Sequence, residues 1–388
     1  MWGTPIFSKS CIIERVKSIN VPFRAIYSII FGGIKMREIA VEQYIQMDNA
    51  VPVDVRSPIE FEECSIPGAV NVPLFTNEER VEIGTLYKKE GSDAAKWRAM
   101  EIVSPKIPFM MQKIRDLKND GFQPVIYCWR GGMRSKAVTT FITYAGVSIP
   151  RLIGGYRAYR QYILENTADL IPEKAVVLHG MTGVGKTDVL KVLSEKGYPV
   201  IDLEEMAGHR GSIFGSFGMG NGSTQKTFDA LLYQALSEVK GSPYIIMEAE
   251  SKRIGKVVQP DELLDTKKTG IHIDMFASME SRVQRIVRDY VEPYKNEEWF
   301  KPKVDESLVF IKKRLKDTEI REQLDESVEA ENYELFIKLL LEHYYDPRYA
   351  FKQHDYEGQF HHVNADDVEA AAQQIIHHII EKQNAPVL

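Results

Sequence analysis

Ala175-Val-Val-Leu-His-Gly-Met-Thr-Gly-Val-Gly-Lys-Thr187 is an apolar run, then a glycine-rich turn, then the start of a helical pattern. Gly180 to Thr187 fits G-x-x-x-x-G-K-[ST] and lies between a strand and a helix, the context in which that spacing has mechanical meaning. The glycines let the backbone turn so that successive amides converge on a di- or triphosphate. Lys186 neutralises an outer phosphate and Thr187 can reach Mg²⁺. Gly180, Thr182, Gly183, Val184, Gly185, Lys186 and Thr187 are therefore expected to cradle a polyphosphate. The loop does not require that an NTP be hydrolysed, and NTP use stays open.

Strands and helices alternate on both sides of this stretch. Downstream, 199–203, 244–247 and 272–276 read as strands. Residues 224–239, capped by Ser223, and 367–382 read as helices, and 278 to about 342 is helical and heavily charged. Upstream, 51–55, 125–127 and 151–153 read as strands, 135–144 as a helix stopping at Gly146, and 77–113 as a helical insertion. The alternation implies parallel sheets with helices on both faces. A break near 166–174 separates an α/β domain at 36–167 from a second at 168–388, whose region at about 278–345 is helical. Residues 1–35 are expected to be an extension, disordered or a mis-called start, because Met36 opens the globular pattern.

Composition sets the outer bounds. With 388 residues, 44% hydrophobic and 27% charged, the chain has ordinary globular usage. That excludes a mostly disordered chain, a collagen-like fibre and a disulfide scaffold. The net charge of −6 gives no blanket attraction to polyanions, so any nucleic-acid contact needs a local patch. Three cysteines, Cys11, Cys64 and Cys128, fit a reducing compartment, and the expected location is cytoplasmic. The uncharged run at 25–34 is far short of the about 20 residues that span a bilayer, so no membrane contact is expected.

Val125-Ile-Tyr-Cys-Trp-Arg-Gly-Gly-Met-Arg-Ser135 places Cys128 at a strand end, before a glycine-rich loop and a helix. Loop amides and a helix N-terminus can converge on its sulfur, and Arg130 and Arg134 add positive charge. All three favour the thiolate and would hold an anionic persulfide or perselenide. Trp129, Arg130, Gly131, Gly132, Arg134 and Ser135 form the expected support, and Trp129 either packs or stacks on a base. Asp54-Val-Arg-Ser-Pro-Ile-Glu-Phe61, Ile66-Pro-Gly-Ala-Val-Asn-Val-Pro73 and Leu152-Ile-Gly-Gly-Tyr-Arg-Ala-Tyr159 resemble the rhodanese family over about 125 residues. The resemblance implies that Cys128 carries the chalcogen and that Asp54 and Arg56 support the loop or the sulfur donor. Cys64 stands where such domains usually have Gly, and reads as a tolerated small side chain. The expected fold class is thus α/β, a rhodanese-like parallel-sheet domain followed by a P-loop NTPase-like domain with a helical C-terminal part.

Acidic groups follow the P-loop. Glu248 and Glu250 sit after a buried strand and Asp202 and Glu204 end its neighbour, all four being candidates on the Mg²⁺ and phosphate side. His209 and Arg210 open a basic, glycine-rich loop suited to closing over phosphates, and Phe214, Phe217 and Met219 either line an apolar ligand site or pack. His361-His362 and His377-His378 read as structural or surface residues, so no firm metal site is expected.

A rhodanese unit joined to a P-loop unit, with His209-Arg-Gly-Ser212, Glu250-Ser-Lys-Arg-Ile-Gly255 and Tyr344-Tyr-Asp-Pro-Arg-Tyr349, resembles the tRNA 2-selenouridine synthase family from about Met36 onward. The resemblance implies a transferase acting on wobble 2-thiouridine in tRNAs for Lys, Glu and Gln. It implies S-geranylation from geranyl diphosphate, then replacement of the S-geranyl group by selenium from selenophosphate. Such an enzyme needs a basic face, for which Arg282, Arg285 and Arg288, spaced i, i+3, i+6, and Lys301, Lys303, Lys312, Lys313 and Arg314 are the candidates. The rival readings are a sulfurtransferase with an NTP-binding regulatory P-loop domain, and a phosphate-binding interaction module with an inactive rhodanese unit. The intact Cys128 loop and the complete Lys186-Thr187 pair argue against the second rival.

Overall fold

The computed structural model describes residues 36–209, 222–349, 356 and 360–383. Contacts divide the chain into two compact units, one holding the chain up to Pro58 and Ala69–Tyr156, the other Ile59–Gly68 and the chain from Arg157 onward.

The first unit is built on a five-stranded sheet in the order β1-β5-β4-β2-β3, from Glu38–Ile39 (β1), Ala50–Asp54 (β2), Val70–Asn71 (β3), Gln123–Tyr127 (β4) and Arg151–Leu152 (β5). Every pairing is parallel. Val53, Val125, Ile126 and Tyr127 are buried, as strands covered on both faces should be. Between the first three strands lie α1 (Val41–Ile45) and α2 (Pro58–Glu63), and α3 (Asn77–Glu90), α4 (Ser92–Val103) and α5 (Ile107–Asn119) fall in the expected insertion. A capping box starts α3, Thr76 Oγ1 accepting from the Glu79 amide at 3.2 Å and Glu79 Oε2 accepting from the Thr76 amide at 2.8 Å. No residue of α3 is buried, whereas α5 buries Met110, Met111 and Ile114 in the core beside Val53 and Ile126. The insertion expected at 77–113 is therefore corrected: α5 covers the sheet, and the α3–α4 pair is the added part. Helix α6 (Met133–Tyr144) precedes β5, and α7 (Gly155–Asn166) follows it.

The second sheet runs β12-β11-β6-β8-β7, from Ala175–His179 (β6), Val200–Ile201 (β7), Ile245–Glu248 (β8), Ile271–Phe276 (β11) and Phe360–Asn364 (β12), again all parallel. A small antiparallel hairpin, Arg253–Ile254 (β9) and Val257–Val258 (β10), stands apart from it. The crossovers are α8 (Lys186–Glu195), α9 (Leu203–Ala207), α10 (Gln225–Glu238), α11 (Asp261–Lys268) and, after β12, α17 (Val368–Gln383). Thr224 rather than Ser223 caps α10, its Oγ1 accepting from the Thr227 amide at 3.2 Å. The helical part comprises α12 (Met279–Ile286), α13 (Phe300–Lys312), α14 (Thr318–Glu329), α15 (Tyr333–Leu340) and α16 (Asp346–Tyr349), with one π turn at Val287–Val291 and another at Leu341–Tyr345. It has its own core, including Phe300, Leu308, Leu324, Phe336 and Tyr344. Among the described residues, no helix is long and apolar enough to cross a membrane.

Candidate active site

β4 ends one residue before Cys128, and the chain turns through Trp129–Gly132 before α6 begins. The turn is held from behind by a second one. Gly155, at φ +59°, approaches so closely that a Cβ on it would fall 2.0 Å from the Cys128 carbonyl oxygen. Gly131, at φ +60°, would bring a Cβ to 2.8 Å from the Gly154 amide nitrogen. The Tyr156 amide donates to the Cys128 carbonyl at 2.9 Å, and the Arg151 guanidinium donates to the Gly131 carbonyl while pairing with Glu38. Arg151 and Gly155 were absent from the sequence expectation. The one available signal was the Gly154-Gly155 doublet, which close backbone approach explains.

The thiol lies at the floor of this arrangement. Cys128 is 3% exposed, and its Sγ is 3.2 Å from Ser135 Oγ, either atom able to donate. Arg130 is exposed and Arg134 half-buried. Asp54 and Arg56 are buried and bound to each other, Arg56 Nη2 to Asp54 Oδ2 at 2.6 Å. The Arg56 guanidinium faces the rings of Tyr156 at 4.9 Å and of Tyr127 and Trp129 at 5.8 Å each. Trp129 stacks on Tyr156 with 5.5 Å between centroids. Asn71 ties the strand end down, its Nδ2 donating to the carbonyls of Asp54 at 3.0 Å and Arg56 at 3.1 Å. Of the two roles offered for Asp54 and Arg56, this geometry favours support of the loop. Their charges are spent on one another and on the aromatic stack.

In the second unit, Gly180, Gly183 and Gly185 all have positive φ and carry the chain from β6 into α8. Lys186 Nζ reaches back across the loop to the Gly180 carbonyl at 3.1 Å. The outer side of the loop is gripped by α12. Arg282 Nε donates to the Thr182 carbonyl and Arg285 Nη1 to the Val184 carbonyl, each at 2.9 Å. Within the loop the Val184 amide donates to the Met181 carbonyl at 3.2 Å.

This overturns the expected role of Arg282 and Arg285. They are 4% and 9% exposed and do not form an exposed basic face. Arg282 is also paired with Asp346, and Arg285 also donates to the carbonyls of Ala365 and Asp366. The i, i+3 spacing was read correctly as one helix face, but that face turns toward the P-loop. Arg288 is half exposed and bound to Asp188 and Asp289. Lys312 pairs with Asp325, while Lys313 and Arg314 are exposed at the end of α13.

A cavity of about 800 Å³ opens on the loop, lined among others by Lys186, Thr187, Asp202, Glu204, Arg285 and Tyr290. Asp202 and Glu204 stand on its wall, and Glu248 is buried beside them. Glu248 is fully buried, one oxygen accepting from the Leu203 amide at 3.1 Å and the other without a hydrogen-bond partner. Burial, with Asp202 and Glu204 nearby, holds its carboxyl well above the usual range. Burial likewise pushes Glu204 up to about 8, against the pull of Lys186, and Glu204 hydrogen-bonds Glu250. Asp202 caps α9 by accepting from the Glu205 amide at 2.8 Å. Among the described residues, no group of three or more His, Cys, Asp or Glu side chains is arranged to hold a metal ion.

His209 is described and half-buried, and burial lowers its pKa. Arg210, Phe214, Phe217, Met219 and the expected extension at 1–35 lie outside the described residues. Two buried features escaped the sequence reading. His179 Nε2 and His272 Nδ1 are 3.0 Å apart at the foot of the P-loop. Lys267, 1% exposed, donates to Gln259 Oε1 at 2.7 Å and to the Glu250 carbonyl at 3.1 Å, fixing the acidic loop after β8. The two histidines carry no motif because they are 93 residues apart in sequence.

Two family models match the chain. One, described as the tRNA 2-selenouridine synthase AAA domain, covers residues 173–381, and a rhodanese-like domain model covers 40–162. A tRNA 2-selenouridine synthase of Pseudomonas fluorescens is 34% identical over 325 residues, 78% of this chain and 88% of that one. The protein of that name from Bordetella petrii is 34% identical over 333 residues, covering 78% and 86%. That from Hahella chejuensis is 31% identical over 339 residues, covering 80% and 88%.

Proposed function

The chain belongs to the tRNA 2-selenouridine synthase family, and from that premise we propose that it is a transferase converting 2-thiouridine in tRNA to 2-selenouridine through an S-geranyl intermediate. The observation that carries the reading is that one chain holds both a buttressed cysteine loop and a complete diphosphate cradle.

In the first step the thiocarbonyl sulfur attacks C1 of geranyl diphosphate, and the C1–O bond breaks. Diphosphate leaves with the electron pair, and the base loses its N3 proton. Lys186 and the P-loop amides hold the leaving charge, which grows in the transition state, so their contribution is catalytic rather than merely affinity. In the second step a selenium nucleophile adds at C2, and the C–S bond breaks to release geranylthiol. S-alkylation makes this feasible by turning a thiocarbonyl into a leaving group. Cys128 takes part in delivering selenium derived from selenophosphate, with Ser135 beside the chalcogen and Arg130 and Arg134 supplying positive charge. The substrates are the tRNAs for Lys, Glu and Gln, and Lys313 and Arg314 at the end of α13 are offered to RNA phosphates in place of the buried arginines.

The test is to incubate the protein with thiolated tRNA, geranyl diphosphate and selenophosphate and to analyse the nucleosides by mass spectrometry. Cys128→Ser should abolish 2-selenouridine while S-geranyl-2-thiouridine accumulates. Lys186→Ala should slow geranyl transfer about 100-fold or more. Equal loss of both products in Cys128→Ser would refute the division of labour. Thiosulfate sulfurtransferase activity controlled by NTP, with no geranylated nucleoside, would establish the regulatory rival instead.

A further inference from the structure

A second cavity, of about 480 Å³, lies against the P-loop and shares Lys186 and Val184 with the first. Its walls come from the loop itself, from the chain after β8 and from the end of β11. The size is within the roughly 300–1,000 Å³ of small-ligand sites. Its exposed side chains set it apart. Among the described residues between β6 and the end of β11, Met181 and Phe276 are the two large apolar side chains left exposed, at 42% and 51%. Both stand on this cavity, with Ile254 and Met275 behind them. Large apolar groups open to water beside an anion-binding loop call for an apolar occupant. A thioether and a phenyl ring suit a flexible hydrocarbon, because methionine adapts its shape and the ring gives a broad contact.

Charge orients that occupant. Lys186 is the cation common to both cavities, while the walls of the second also carry Glu250, the exposed Arg253 and Asp274, whose Oδ2 lies 3.1 Å from His362 Nδ1. Arg282, also on that wall, is committed to Asp346 and to the Thr182 carbonyl. We propose that the cavity bounded by Met181, Ile254, Met275 and Phe276 binds the hydrocarbon chain of the allylic diphosphate, whose phosphates lie on the P-loop and Lys186. This assignment rests on the reading of the P-loop as a diphosphate grip, and adds where the chain goes and why a prenyl ester is preferred to inorganic diphosphate.

Calorimetric titration of the full-length protein with geranyl diphosphate, dimethylallyl diphosphate and inorganic diphosphate tests it. The wild type should bind the geranyl ester more tightly than the dimethylallyl ester, and that more tightly than inorganic diphosphate. Met181→Ser and Phe276→Ser change exposed side chains, so folding is spared. Combined, they should weaken geranyl diphosphate about tenfold or more while inorganic diphosphate changes by less than about twofold. If the double variant keeps the wild-type preference while Lys186→Ala weakens all three ligands, the chain lies elsewhere and the diphosphate grip stands. Failure of Lys186→Ala to weaken any of the three would overturn both the grip and the chain assignment. Equal affinity of the wild type for all three ligands would also overturn the proposal.

Discussion

The cysteine loop and the P-loop are the same device used twice: a buried parallel strand, a glycine-rich turn, then a helix. They differ in what stands behind the turn. The cysteine loop is backed by another backbone turn at Gly154-Gly155, without room for a single added carbon, and its sulfur is 3% exposed. The P-loop is backed by two arginine side chains, and its concave side opens on a cavity of about 800 Å³. Backbone against backbone makes a rigid, shielded seat for one reactive atom. Side chain against backbone makes a cradle that leaves room for a large ligand. A shielded chalcogen is protected from stray oxidants, and a roomy cradle admits a substrate with a tail.

The sharpest way to break this comparison is to add one carbon to the rigid seat. Gly155→Ala should cost about 3 kcal/mol or more or force the cysteine loop open, since the new Cβ meets the Cys128 carbonyl at 2.0 Å and φ is positive. Faster alkylation of Cys128 by iodoacetamide would report the opening. Gly132→Ala is the control, because nothing lies within 4 Å of a Cβ there, and it should alkylate at the wild-type rate. Equal behaviour of the two variants would mean that the backing turn does not restrain the thiol.

An intermediate effect is expected at the arginine backing. Arg285→Ala removes a buried guanidinium from three carbonyls and should cost about 2–4 kcal/mol of stability in urea unfolding of the full-length protein. Arg288→Ala, half exposed and paired at the surface, should cost less than about 1 kcal/mol. A reversed order would sink the claim that α12 braces the loop.

The smallest effect concerns the acidic wall. The Glu204 carboxyl ionises near 4.5 when unfolded and at about 8 when folded. As pH rises through that interval, the unfolded chain gives up a proton that the folded one keeps, so stability falls. Below about 4.5 the group contributes no pH dependence. Glu204→Gln should therefore gain stability relative to wild type as pH rises from about 4.5 to about 8, read from unfolding midpoints. A pH-independent difference would show that Glu204 is ionised in the folded protein.

Most of the fold was legible in the sequence because its signals are local. Val125-Ile-Tyr and Ala175-Val-Val-Leu announce buried parallel strands, and the glycines at 131, 180, 183 and 185 announce turns. Which side of a charged helix faces inward was not legible. Arg282 and Arg285 are buried together with Val283 and Ile286, and it is the carbonyls of Thr182 and Val184, invisible in the sequence, that receive the two guanidinium groups. Glu248 was expected on the Mg²⁺ and phosphate side and Lys267 carried no expectation, and the burial of both depends on partners brought together by the sheet. The role of Asp54 and Arg56 was open for a similar reason, since the aromatic rings that absorb the guanidinium come from three separate positions.

The place of β12 has a consequence for biosynthesis. This strand pairs with β11, and Val363, Ala365, Ala371 and Ile375 fill the same core as Val176 and Leu178. A ribosome emits β6 long before it emits β12, so the sheet that carries the P-loop lacks one edge strand and part of its helical cover until residues 360–383 are made. The cysteine-bearing sheet has all its strands out by then and can condense first. A nascent chain stalled in the helical region would therefore have every strand of its first sheet and would still lack the edge strand of its second.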